Sequence, residues 1–217
     1  MLISSSRGLT GLAALALVLT AACAPADSDG GSDGANASAP AKAATSLAEC
    51  KPADLPLLTS GKLTVATDDP AFEPWFVDGD PANGKGFESA VAYAVADKLG
   101  FAKGDVTWVT AGFNQAVQAG KKNFDFDINQ FSITKDRAKA VDFSSPYYSA
   151  AQAIITLKDS KFAGATSLAD LKDAKIGAQI ATTSLKAVDQ IAPSTAPRVY
   201  DDTTKAAQAL QNKQVDA

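Results

Sequence analysis

The sequence predicts an α/β protein built from two open sheets in tandem. Three observations carry that prediction. Short β-branched runs alternate with segments of helical spacing between Lys62 and Ile128, in the order β-α-β-α-β. The same alternation begins again at Lys175. Between them lies an apolar run, residues 151–157, expected to be a strand that crosses from one half to the other.

The elements follow in order. Residues 62–67 alternate and are β-branched, so they read as a strand, which Asp68-Asp69-Pro70 breaks. Pro81-Ala82-Asn83-Gly84 is a turn. Ala90, Val91, Ala94, Val95 and Leu99 recur at helical spacing over 86–99, and Gly100 stops that helix. Residues 106–109 are the second strand, 113–119 a helix packing through Ala116 and Val117, and 124–128 the third strand. The second half reads as a short helix (167–171), a strand (175–179), a helix (183–191), a strand (198–200), a helix (203–210) and a further strand opening at 214–217. This second unit breaks off in mid-motif, which implies a fragment of a longer protein.

The N-terminal part is organised differently. Residues 1–23 read as a targeting segment. Arg7 precedes an apolar run over 8–20, and Ala21-Ala22-Cys23 closes it with small residues. The run is too short for a good membrane span. The small-small-Cys ending resembles a lipoprotein signal, in which Cys23 is acylated and becomes the mature N-terminus. Residues 24–46 are mostly Ala, Gly, Ser, Asp and Pro. Such a composition buries too little surface to offset its ordering entropy, so it reads as a disordered tether.

Composition excludes several functions. The chain has 217 residues, no histidine, two cysteines and a formal charge of -4. Without histidine there is no Ser-His-Asp or Cys-His catalysis. Cys50 has no partner once Cys23 is assigned to the lipid anchor, and no Cys-x-x-Cys pattern suggests zinc. No basic stripe suggests nucleic acid. No metal or cofactor is implied.

The most informative stretch is FDFDINQFSITKDR followed by VDFSSPYY, residues 124–137 and 141–148. A strand runs into a hydroxyl-rich loop and then a turn that projects Arg137. A guanidinium fork there suits a carboxylate. With KLTVATDDPAFEPW, GKGFESAVAYAVADKLG and KIGAQIATTS, these blocks resemble the extracytoplasmic solute-binding proteins of polar amino-acid ABC transporters, family 3 type. The resemblance covers residues 61–217. It implies a two-lobed periplasmic-binding-protein-like fold, with lobe one over 47–152, a hinge, and an incomplete lobe two over 153–217. It also implies a monomer, anchored outside the cytoplasm by lipid, that captures a polar amino acid and delivers it to the membrane subunits of an ABC permease.

The resemblance places the site residue by residue. Arg137 would grip the α-carboxylate, with Ser132 beside it. Asn129 and Gln130 would line the ligand, and their amide side chains, where smaller residues are usual, would enter the pocket. Thr134 would cap the turn before the arginine. In lobe two, Thr182 and Thr183 open a helix, and Gln179 ends the strand before it. Ala181 stands where glycine is usual, a costly choice if the position needs positive φ. Phe72 would wall the pocket, Asp69 would accept from a polar or cationic ligand end, and Trp75 would be core. Glu88 and the Phe143–Tyr148 block read as structural. An enzyme of the cyclohexadienyl or arogenate dehydratase type is the alternative, with Asp69 and Glu73 as its acid-base candidates. The sensor domain of a receptor is a third reading.

Overall fold

The computed structural model describes residues 51–217. The targeting segment with Cys23, the tether and Cys50 lie outside the described residues.

The first half is a three-stranded parallel sheet. Strands β1 (Leu63–Thr67), β2 (Val106–Thr110) and β3 (Phe126–Asp127) take the order β2-β1-β3. Every residue of β1 is buried, because it has a strand on each side and a cover on each face. On one face, Ala92 and Ala96 of helix α1 (Phe87–Lys98) pack against Leu63, Val65, Phe101 and Ile128. On the other, Ala66 meets Ala111 and Ala116, the latter from the short helix α2 (Phe113–Ala116). The strand expected at 124–128 shrinks to two residues, and the helix expected at 113–119 to one turn.

Helix α1 turns a different face inward from the one its spacing suggests. Glu88, Ser89, Ala92 and Ala96 are buried, whereas Ala90, Ala94 and Val95 are exposed. The helix is rich in alanine and valine all round, so apolar period alone does not choose a side. Close approach chooses it: Ala92 and Ala96 are small, and Ser89 Oγ donates to the Pro81 carbonyl at 2.6 Å. Gly86, just before α1, has φ +92°, and a Cβ there would lie 2.4 Å from the Trp75 carbonyl oxygen, so only glycine fits.

The second half repeats the plan. Strand β4 (Gly177–Gln179) leads through helix α3 (Thr183–Val188) to β5 (Arg198–Tyr200), which pairs with it in parallel. Helix α4 (Thr203–Gln211) follows. Residues 214–217 run along the free side of β4 without forming a regular strand. The Gly177 N–H donates to Ala217 O at 2.9 Å and the Asp216 N–H to Lys175 O at 2.7 Å. Phe162, Leu171, Ile176, Ala178, Val188 and Ile191 form the core of this half.

Residues 151–157 correct an expectation. They form no strand, and Ile154 and Ile155 are exposed. A strand needs partners for its N–H and C=O groups, and an apolar composition does not supply one. The segment does reach lobe two, where Gln152 bonds to α3.

Candidate functional site

The carboxyl ends of both sheets carry the sequence-predicted residues. After β3 the chain runs through Asn129–Ser132 into a helical turn, Arg137–Lys139. The Arg137 N–H donates to Thr134 Oγ1 at 3.2 Å, so Thr134 caps the turn. The Arg137 guanidinium points into the crevice between the two halves. Its Nη1 donates to the Ser132 carbonyl at 2.7 Å, and its Nη2 donates to the Ala181 carbonyl of the second half at 2.8 Å. The fork also lies over two aromatic rings, with its central carbon 5.3 Å from the Phe113 centroid and 5.8 Å from that of Phe131. Burial lowers the guanidinium pKa from its ordinary value. That value is so far above neutrality that the charge persists.

Hydroxyl groups meet across the same gap. Ser132 Oγ and Thr183 Oγ1 are 3.1 Å apart, and Gln152 Nε2 donates to Thr183 Oγ1 at 3.2 Å. Thr182 caps α3: its hydroxyl accepts from the Leu185 N–H at 3.1 Å and donates to the Gln179 carbonyl at 2.7 Å. Gln179 is buried, and its amide oxygen accepts from Thr203 Oγ1 at 2.6 Å. Ala181 does adopt φ +61°. The left-handed turn costs an alanine about 1–2 kcal/mol.

The two amide side chains behind Ser132 are engaged with lobe one. Asn129 is buried, and its Oδ1 accepts from the Gln130 N–H at 2.8 Å. Gln130 Nε2 donates to the carboxylate of Glu88. Glu88 also accepts from the Tyr147 hydroxyl at 2.7 Å, and the same hydroxyl lies 2.9 Å from the Asn129 carbonyl. Burial raises the Glu88 pKa, against the two hydrogen bonds that lower it.

Asp69 and Phe72 sit exposed beyond the end of β1, as does Glu73. Trp75 is half-buried and meets Tyr148 edge-on, with centroids 4.8 Å apart. Asp127 is the unexpected group. Both its carboxylate oxygens are buried with no hydrogen-bond partner among the described residues. Burial, with the charges of Asp68 and Glu88 adding to it, pushes its pKa up to about 8. Burial likewise raises Asp68.

Sequence reasoning missed Phe113, Phe131 and Gln152 as neighbours of the site, and Asp127 as a buried carboxyl. One signal for Asp127 was available. In FDFDI the residues Phe124, Phe126 and Ile128 share one side of a period-two pattern, which places Asp125 and Asp127 on the other.

Two parallel α/β sheets whose carboxyl ends face one crevice, with a guanidinium reaching across it, define a two-lobed binding protein. The family model for bacterial extracellular solute-binding proteins, family 3, matches residues 63–217, and the chain belongs to that family. The arginine-binding extracellular protein ArtP of Bacillus subtilis (strain 168) is 33% identical over 119 residues, covering 54% of this chain and 44% of that protein. ABC transporter arginine-binding protein 1 of Escherichia coli (strain K12) is 28% identical over 132 residues, covering 60% of this chain and 51% of the relative. The chain thus spans about half the length of the curated relatives it matches. Among solved structures, an ancestral arginine-binding protein bound to glutamine has a TM-score of 0.60 at 35% identity, covering 73% of this chain and 68% of that one. Holo ArgBP from T. maritima has a TM-score of 0.59 at 31% identity, covering 72% and 67% respectively.

Proposed function

We propose that the chain captures a polar amino acid between its two lobes and delivers it to the membrane subunits of an ABC permease. We further read it as a monomeric lipoprotein, held outside the cytoplasm through Cys23. The observation that carries the reading is Arg137. It spends two of its five N–H donors on neutral carbonyls, one from each lobe. An amino-acid carboxylate is a stronger acceptor than either carbonyl, because the bond becomes charge-assisted on both sides. It would take over the fork at the point where the Ser132 and Thr183 hydroxyls already meet. Contacts to both lobes are what allow a ligand to favour the closed arrangement.

Asp69 and Phe72 would meet the ligand's side chain at the rim. The relatives' names fit a polar side chain, since they include arginine-, histidine-, cystine- and glutamine-binding proteins. One similar solved structure is an ancestral amino acid-binding protein described as a precursor of cyclohexadienyl dehydratase, and its own description is also one of binding.

A thermal-shift panel of the twenty amino acids tests the reading, since specific binding raises the melting temperature by mass action. Arg137→Ala is expected to abolish the ligand-dependent shift. It should lower the stability of the unliganded protein by about 2–4 kcal/mol, the worth of two hydrogen bonds from a charged group to carbonyls. An undiminished shift in that variant would remove Arg137 from the site.

A further inference from the structure

Glu88 carries no exposed surface at all. A buried carboxylate needs a cation or a full set of donors. No lysine or arginine bonds to it among the described residues; two neutral donors do. Each comes from a different segment: Gln130 Nε2 from the loop after β3, and the Tyr147 hydroxyl from the segment that leaves lobe one. The position in the first turn of α1 adds the favourable end of the helix dipole.

Both segments then lead to the same atom of lobe two. Two residues past Gln130, Ser132 Oγ reaches Thr183 Oγ1 at 3.1 Å. Five residues past Tyr147, Gln152 Nε2 reaches the same oxygen at 3.2 Å, while Gln152 Oε1 accepts from Ser184 at 2.7 Å. The arrangement is a ring, with Glu88 closing it inside lobe one and Thr183 closing it on lobe two. We propose that Glu88 is a positioning residue for ligand capture, holding the binding loop and the exit segment at the spacing at which Ser132 and Gln152 both meet Thr183. This rests on the binding function proposed above.

The chemistry of the link dictates its test. Tyr147 has one hydroxyl proton and two acceptors in reach, Glu88 Oε1 and the Asn129 carbonyl. If glutamine replaces Glu88, its oxygen still accepts from Gln130, its N–H donates to the Tyr147 oxygen, and Tyr147 turns its proton to Asn129. The ring survives with reversed polarity. Methionine fills the same space and makes none of these bonds.

Calorimetric titration of the full chain with L-arginine separates the cases. Glu88→Gln should weaken binding by about threefold and Glu88→Met by at least about tenfold, the difference reflecting the two anchoring hydrogen bonds that only methionine loses. Tyr147→Phe should cost more affinity in the Glu88→Gln background, where it strands the new N–H, than in the wild type. Should Glu88→Met fail to fold, Gln130→Leu and Tyr147→Phe each cut one arm of the ring from outside α1, and each should weaken binding by about three- to tenfold. A folded Glu88→Met that binds L-arginine as tightly as the wild type, or arm variants without effect, overturns the positioning role and leaves the binding function standing. A wild-type chain that binds neither L-arginine nor any other of the twenty amino acids overturns that function and this inference with it.

Discussion

Lobe one and lobe two begin with the same device and use it with different strength. In each, an aspartate at the third extended segment, just ahead of it in lobe one and within it in lobe two, satisfies backbone donors near the start of the central strand. Asp125 accepts from the Thr64 N–H at 2.7 Å and also from the Leu58 N–H at 2.8 Å. Asp216 accepts from the Lys175 N–H at 2.8 Å. Lobe one then continues into the long loop that carries Ser132 and Arg137. Lobe two answers with a carbonyl, at Ala181, and a hydroxyl, at Thr183. The charge and the aromatic platform under it belong to lobe one, which also builds the larger aromatic core. The difference teaches that lobe one presents the cation from an aromatic platform, and lobe two contributes an acceptor to it.

Removing the two aspartates should expose the asymmetry most strongly. Asp125→Ala deletes two charged hydrogen bonds to backbone and is expected to cost about 2–4 kcal/mol in urea unfolding, whereas Asp216→Ala, with one such bond near the surface, should cost about 1 kcal/mol. Equal losses would break the comparison.

Asp127 should give the next largest effect, and it acts on lobe one. Its pKa is raised in the folded protein to about 8, so the native state holds the proton more tightly than the unfolded chain does. Its contribution to stability is therefore full at acid pH, below the unfolded value, and is lost as pH rises through about 8. Glu88 and Asp68, also raised, act in the same direction. Melts between pH 5 and 8 should show stability falling with pH, and Asp127→Asn should flatten most of that slope. Asp127→Val, which removes an unpaired buried carboxylate from a strand, should raise stability at pH 8 by about 1–3 kcal/mol. A wild-type profile that climbs toward pH 8 would contradict the buried, unpaired state of this carboxyl.

The smallest effect is expected in lobe two. Ala181→Gly relieves the left-handed turn and should stabilise the protein by about 1 kcal/mol without changing the ligand-induced shift. Destabilisation would mean that the turn is held for a reason other than the direction of its carbonyl.

Much of this architecture was legible in the chain. Alternating β-branched runs and helical spacing gave two successive α/β units, and the FSITKDR stretch pointed to Arg137 at the end of a strand. Other features were not legible because they depend on neighbours distant in sequence. Residues 151–157 have a strand's composition and no strand paired with them among the described residues. The buried face of α1 was set by close approach and by hydrogen bonds from Gln130 and Tyr147, which no apolar period records. The hydrogen bond from the Gln130 amide to Glu88, 42 residues away, is of the same kind.

The sequence by itself determined the order of strands and helices, the turn that ends in Arg137 and the chemistry which that guanidinium prefers. Those are properties of local pattern and of side-chain type, and they hold before the chain folds. Only the tertiary structure decided which groups face that guanidinium, that Glu88 is buried between two donors, and that Asp127 has none among the described residues. Burial and hydrogen-bond partnership arise between segments tens of residues apart, so they exist only once packing has removed the water that would otherwise serve every polar group equally.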